Sequence, residues 1–178
     1  MDNHIFDSMD QLDKLKVPYC LCASTLLAFI LQRKPFDNDP EMDFMFPVEY
    51  RTTILTSPLK FYFIDKQAVT GLGGGGFERQ GDEFKTGLTF IIKKGKYAIA
   101  NFWGDCFSIC NYDWIFPFIY IEHKGRQVPV PNKYEEILRL SYGDNWKVRQ
   151  LNWHHDPNDP KVIHSSSLDE AIKKYEQH

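Results

Sequence analysis

Apolar side chains recur along the first part of the chain with helical spacing. Ile5, Phe6, Met9, Leu12 and Leu15 fall on one face of a helix, which Pro18 closes. Residues 17–23 form a continuous apolar run and predict a short buried strand. Residues 25–31 predict a short buried helix, and a turn rich in Pro, Asp and Asn follows it. Residues 41–46 alternate acidic and apolar side chains before becoming wholly apolar, which predicts a strand. Further on, residues 48–55 predict a helix and residues 59–64 a strand. Residues 87–92 and 97–103 predict two strands of a hairpin joined by Lys-Lys-Gly-Lys. The dense aromatic and aliphatic run at 114–121 reads as core, with Phe118 and Tyr120 available to line a pocket rim. Asn132 with Glu135, and Ser167 with Glu170, have capping-box spacing and predict helices to about Tyr142 and Tyr175. Gly143 ends the first of these. No internal repeat is visible, and residues 156–160 read as a turn-rich linker.

The chemistry of the chain concentrates at 24–46. In a strand, alternate side chains share a face, so Glu41 and Asp43 stand together while Met42 and Phe44 point the other way. Two adjacent carboxylates on an otherwise hydrophobic strand are costly to bury unless a positive group neutralises them. A divalent metal ion does so where the substrate is a phosphate. Asp39 offers a third oxygen, although Pro40 delays regular strand pairing until after it. The plainer reading of the same acids is a solvated edge-strand face that discourages aggregation.

Composition narrows the setting. At 178 residues with 43% hydrophobic content, the chain reads as one domain able to bury a core. A net charge of −3 and the absence of a Lys/Arg run give no nucleic-acid footprint. No apolar run is long enough to span a bilayer, and the acidic start MDNHIFDSMD is unlike a signal peptide, so a cytoplasmic protein, at most peripheral at a membrane surface, is expected. Cys20, Cys22, Cys106 and Cys110 do not form a secreted disulfide framework. They are read as buried free thiols in preference to a four-thiolate zinc site, because Cys20 and Cys22 lie in an apolar segment. The Gly71–Gly76 run lacks the Lys-Ser/Thr of a phosphate loop and reads as a flexible hairpin connection, with a mobile lid as the minority reading. His154 and His155 are adjacent and point in different directions, so no shared metal is predicted.

Ser24-Thr25-Leu26-Leu27-Ala28 followed by Asp39, Glu41 and Asp43 resembles the signature GTLLGxxRxxxxxxxDxDxD of the LicD/fukutin family of nucleotidyltransferase-fold proteins. Ile115-Phe116-Pro117, then Gln127-Val128-Pro129-Val130-Pro131-Asn132, then Tyr142-Gly143-Asp144, resemble that family's closing motifs. The matches occur in the family's order over residues 24–150. The resemblance implies an α+β nucleotidyltransferase-like fold, a mixed β-sheet flanked by helices, with its core at 17–150 and a linker and helix at 151–178. It also implies a metal-dependent transferase that moves phosphocholine or an alditol phosphate from a CDP-linked donor to a glycan or lipid-linked sugar hydroxyl.

Carried onto this chain, the resemblance makes Asp39, Glu41 and Asp43 catalytic, with Glu41 and Asp43 holding Mg²⁺ or Mn²⁺. Ser24 and Thr25 would meet phosphate oxygens at a helix N-terminus. Arg33, two positions from the family's arginine, would act as a phosphate clamp. Asn101 would stand where a third carboxylate is usual. Tyr142-Gly143-Asp144 is read as structural. The departures are Ser24 and Ala28 in place of glycines, Leu31 in place of the arginine, Pro40 in the acidic cluster and Asn101 in place of an acid. They keep a second reading open: a catalytically degenerate protein that binds a nucleotide or serves as an interaction module. A third class is a nucleotidyltransferase acting on a protein or a nucleotide.

Overall fold

The computed structural model describes residues 3–37, 39, 41–64, 68, 70–78, 85–101, 104–148 and 162–177. Helix α1 (Asn3–Asp13) buries Ile5, Met9 and Leu12. Its Ser8 hydroxyl meets the Thr86 hydroxyl at 3.1 Å in the core, which ties the helix to the sheet. The predicted strand at 17–23 shrinks to β1 (Cys20–Leu21), because Pro18 precedes it and helix α2 (Ala23–Gln32) begins two residues later. Strand β2 (Glu41–Pro47) runs into a 3₁₀ turn and helix α3 (Arg51–Leu55), close to the predicted 48–55.

The next strands are β3 (Phe61–Ile64), β4 (Gly75–Glu78), β5 (Lys85–Lys94), β6 (Tyr97–Asn101) and β7 (Cys106–Asn111). Helix α4 (Tyr112–Ile115) leads to a hairpin of β8 (Ile119–His123) and β9 (Arg126–Val130). Lys124 and Gly125 both adopt positive φ at its two-residue turn, the backbone handedness that matches strand twist. Helix α5 (Tyr134–Tyr142), strand β10 (Ile163–His164) and helix α6 (Leu168–Tyr175) complete the described chain.

The main sheet has the order β1-β2-β5-β6-β7-β10, and β2 runs parallel to β5 while the other neighbours along this path are antiparallel. β5 is long enough to carry two partners on one edge. β4, itself paired with β3, takes Lys85–Leu88, and β6 takes Ile91–Lys94. The fold is a mixed sheet flanked by helices, as expected. On β2, Met42, Phe44 and Phe46 are fully buried and share a face with Thr86, Leu88 and Phe90 of β5. A second apolar cluster, Ile99, Phe107, Ile109, Ile163 and Ala171, seats α6 on the far end of the sheet.

Several local expectations change. Gly75 and Gly76 pair with β5 as part of β4, so that end of the glycine run is strand and not a loose connection. Asn132 does not cap α5. Its side-chain amide donates to the Asp113 carbonyl at 2.8 Å, leaving Lys133 at the N-cap, whose side chain caps no helix N–H. Ser167 does cap α6, accepting from the Glu170 N–H, but the Glu170 carboxylate turns to the Ser165 and Ser166 hydroxyls. Those hydrogen bonds and Lys174 pull Glu170 down to a pKa of about 2. The 114–121 run is mostly half-buried. Ile115 alone is fully inside, Tyr112, Phe116 and Phe118 stack on one another, and Tyr120 is 62% exposed. Residues 102, 103 and 149–161, including His154 and His155, lie outside the described residues.

Candidate active site

The odd-numbered face of β2 carries Glu41 and Asp43, each half-buried. Asp43 is fixed through its backbone and its carboxylate. Its N–H donates to the buried Thr25 hydroxyl at 2.7 Å, and its carbonyl accepts from the Cys22 N–H at 3.1 Å. Its Oδ2 accepts from the Ser24 hydroxyl at 3.2 Å. The start of α2 therefore positions Asp43, and the hydroxyls of Ser24 and Thr25 turn toward that residue. Ala23, the first residue of the helix, is held at φ 46°, a conformation that costs a residue with a Cβ about 1 kcal/mol or more.

Gly87 lies opposite Asp43 on β5, and Gly76 lies opposite Gly87 on β4. A Cβ on Gly87 would fall 2.3 Å from Asp43 Oδ1, so the carboxylate occupies space that only glycine leaves. The row Asp43–Gly87–Gly76 thus gives the carboxylate a floor without side chains. The next step of the β2–β5 ladder sets Lys85 opposite Glu41. Asp39 stands just outside the strand, its Oδ1 accepting from the Glu41 N–H at 3.1 Å in an Asx-type turn.

The electrostatics follow from this crowding. Burial first, then the charges of Asp39 and Glu41, raise the Asp43 carboxyl from 3.8 to about 7, against the opposing Ser24 hydrogen bond. Two neighbours feel the same field. The Cys22 thiol is pushed up by burial and by Asp43, and it hydrogen-bonds Thr89. The Tyr142 hydroxyl is pushed up by burial, by Asp43 and Cys22, and by Asp39. Tyr142, structural by its motif, ends α5, which packs against α2 and brings its hydroxyl into the field of the acids. Its motif carries no signal of this proximity, because that depends on the packing of α5 on α2.

The donor set here is carboxylate oxygen, which suits Mg²⁺ or Mn²⁺. Burial first, and the charges of Asp39 and Glu41 after it, disfavour the ionised Asp43 carboxyl, and a cation held by these oxygens would offset both costs, so the donor set fits one. The oxygens of Asp39, Glu41 and Asp43 do not all close to within 4.8 Å of one another, so the acids form an open row and not a closed cage.

Two predicted residues lie away from this row. Arg33 caps the other end of α2, about 13 Å of helix from Ser24. Its guanidinium donates to the Phe29 carbonyl and lies over the Phe29 ring. Asn101 is buried on β6, roughly 10 Å across the sheet from Asp43 and roughly 10 Å along it. Its oxygen accepts from the Thr70 N–H and hydroxyl, and its amide donates to the Gly104 and Cys106 carbonyls, so its bonding capacity is used within the protein. The four cysteines cannot share a zinc ion, because β1 and β7 are four strand spacings, roughly 19 Å, apart. Tyr120 does line a cleft of about 350 Å³ with Met9, Tyr19 and Arg126, but this cleft holds none of the predicted site residues.

No protein-family model matches the chain, and no curated protein matches it in sequence. Among solved structures, it is similar to the crystal structure of lincosamide antibiotic adenylyltransferase LnuA, lincomycin-bound. The TM-score is 0.53 at 15% identity, covering 81% of this chain and 88% of the other. At that identity the likeness speaks for the fold. Together with the mixed sheet and its flanking helices, it establishes a nucleotidyltransferase-like α+β fold for this chain.

Proposed function

We propose that this chain is a metal-dependent transferase of the LicD type, moving a phosphorylated small molecule from a CDP-linked donor to a glycan or lipid-linked sugar hydroxyl. The observation that supports it is the Asp43 carboxyl, held at the start of α2 and driven up by burial and then by Asp39 and Glu41. Such a group gains most from a cation, and transfer at phosphorus depends chiefly on positioning and charge neutralisation. Glu41 and Asp43 would hold Mg²⁺ or Mn²⁺, which supplies neutralisation of the donor diphosphate when bound. Thr25 and Ser24 orient Asp43, and Gly87 keeps the space its carboxylate needs. Asp39 would share the cation or accept the proton of the acceptor hydroxyl. Arg33 and Asn101 have no part in this site.

A second reading is nucleotidyl transfer from a nucleoside triphosphate onto a small-molecule hydroxyl. The likeness to an adenylyltransferase fold favours it. The two differ in their products: a CDP-linked donor releases CMP, whereas a triphosphate releases pyrophosphate and leaves the nucleotide on the acceptor.

Thermal melts with Mn²⁺ and CTP, ATP, CDP-choline or a CDP-alditol, followed by mass spectrometry with candidate acceptors, test both. A bound nucleotide at a hundred times its dissociation constant should raise the melting temperature by about 5–10 °C. The shift should require metal and vanish in the Glu41→Ala/Asp43→Ala double variant. A cooperatively melting protein with no shift from any nucleotide would overturn both readings. Binding without turnover would leave the degenerate module.

A further inference from the structure

The far edge of the sheet brings together side chains that neither the acid row nor the resemblance uses. Cys106 opens β7, His164 closes β10, and the two are direct partners across the antiparallel ladder, so their side chains share a face. Asp105 precedes Cys106, and its carbonyl accepts from the Ser165 N–H at 2.9 Å, which locks the two backbones together at this point. The Cys106 sulfur lies 3.8 Å from His164 Nδ1 and 3.8 Å from Asp105 Oδ1. His164 Nδ1 and Asp105 Oδ1 are 3.1 Å apart. Among the described residues, these three form the group of possible ligands whose donor atoms all lie within 4.8 Å of one another.

We propose that Asp105, Cys106 and His164 form a binding site for a thiophilic divalent ion, Zn²⁺ in the first place, distinct from the carboxylate row on β2. The triangle of donors carries the argument. With zinc–ligand bonds of about 2.0–2.3 Å and tetrahedral angles, ligand atoms stand roughly 3.3–3.6 Å apart. The observed edges depart from those values by only a few tenths of an ångström. One face of a metal tetrahedron is therefore already built on two hydrogen-bonded strands.

The donor types narrow the ion further. Sulfur and imidazole nitrogen select Zn²⁺ or Co²⁺ over the Mg²⁺ or Mn²⁺ suited to an all-oxygen site. Cys106 is buried, while the side chains of Asp105 and His164 are about half exposed, so the fourth position opens to solvent. That is a route for the ion and a place for a water molecule. Binding releases the thiol proton of Cys106 to solvent, and the ion takes up the space between the three donors. The site joins residues 58 apart in sequence. It would clip β10, and the α6 helix that follows it, to the sheet edge.

Co²⁺ titration of the purified chain tests this. A thiolate ligand produces a sulfur-to-cobalt charge-transfer band, which an oxygen-only site cannot give, and Zn²⁺ should displace it. The band should be lost, or the affinity fall at least ~10-fold, in His164→Gln and in Cys106→Ser. It should persist in the Glu41→Ala/Asp43→Ala double variant. His164 lies half-exposed on an edge strand, so His164→Gln should melt like the parent without metal, and the proposal does not depend on Cys106→Ser folding. Three results would overturn it: no charge-transfer band in the cooperatively folded parent, a band that survives His164→Gln, or a band lost only with Asp43, which would assign it to Cys22.

Discussion

Replacing Asp43 with Asn should stabilise the metal-free protein at neutral and alkaline pH. In the native state the Asp43 carboxyl titrates near 7, against an ordinary value of 3.8. Between those two values the folded chain holds a proton that the unfolded chain has lost, so native stability falls as pH rises through that window. Above about 7 the cost levels off, because both states are ionised. Each unit of separation corresponds to 1.36 kcal/mol, which sets an upper limit of about 4 kcal/mol at pH 8. Asp43 is only partly enclosed, and solvent screening should reduce the observed effect to about 2 kcal/mol. Asn keeps the size of the side chain and an oxygen for the Ser24 hydroxyl, and it carries no charge into the field of Asp39 and Glu41. For a chain of this length the variant should melt about 4–8 °C above the parent at pH 8. The gap should shrink as pH falls toward 4. The assay is a melting series from pH 4 to 8 for both proteins in the presence of a chelator. A gap that does not change with pH, or a variant less stable than the parent at pH 8, would refute the electrostatic account of this site. Mn²⁺ should narrow the gap at pH 8 by stabilising the parent, since the ion supplies the charge compensation that Asn makes unnecessary.

Two further substitutions probe how the carboxylate is held. Gly87→Ala places a methyl group where Asp43 Oδ1 now lies, 2.3 Å from the new Cβ. It should cost about 1–2 kcal/mol in urea unfolding and abolish any metal-dependent nucleotide shift, and a fully retained shift would show that the carboxylate does not need that space. Thr25→Val keeps the shape of a buried side chain and leaves the Asp43 N–H without its acceptor. It should destabilise the protein by about 1–3 kcal/mol, again measured by urea unfolding, and a change below about 0.5 kcal/mol would mean that the bond is replaced.

Much of the architecture was legible along the chain because it follows from local periodicity. The alternation at 41–46 predicted β2 and the sharing of one face by Glu41 and Asp43, and the apolar run at 25–31 predicted α2. Strand and helix periods of this kind need no knowledge of neighbours. The shared face of the candidate cation pair follows for the same reason, whereas the fold class rested on the resemblance of ordered motifs over 24–150.

What tertiary structure alone decided is which distant residues meet. Asn101 and Arg33 looked like site residues by order and residue type. The register of β6 and the length of α2 carry them away, and hydrogen bonds inside the protein occupy Asn101. Tyr142 reads as structural along the chain and Gly87 only as the start of a strand, yet helix packing brings Tyr142 into the field of Asp43 and strand pairing sets Gly87 against its carboxylate. The Asn132 cap failed because a carbonyl on α4, remote in sequence, captured its side chain. The Asp105–Cys106–His164 triangle is the extreme case, since only the pairing of β7 with β10 creates it. Side-chain type and local period are properties of the sequence itself. A site, by contrast, is a set of distances, and those arise only when the strands have chosen their neighbours and register.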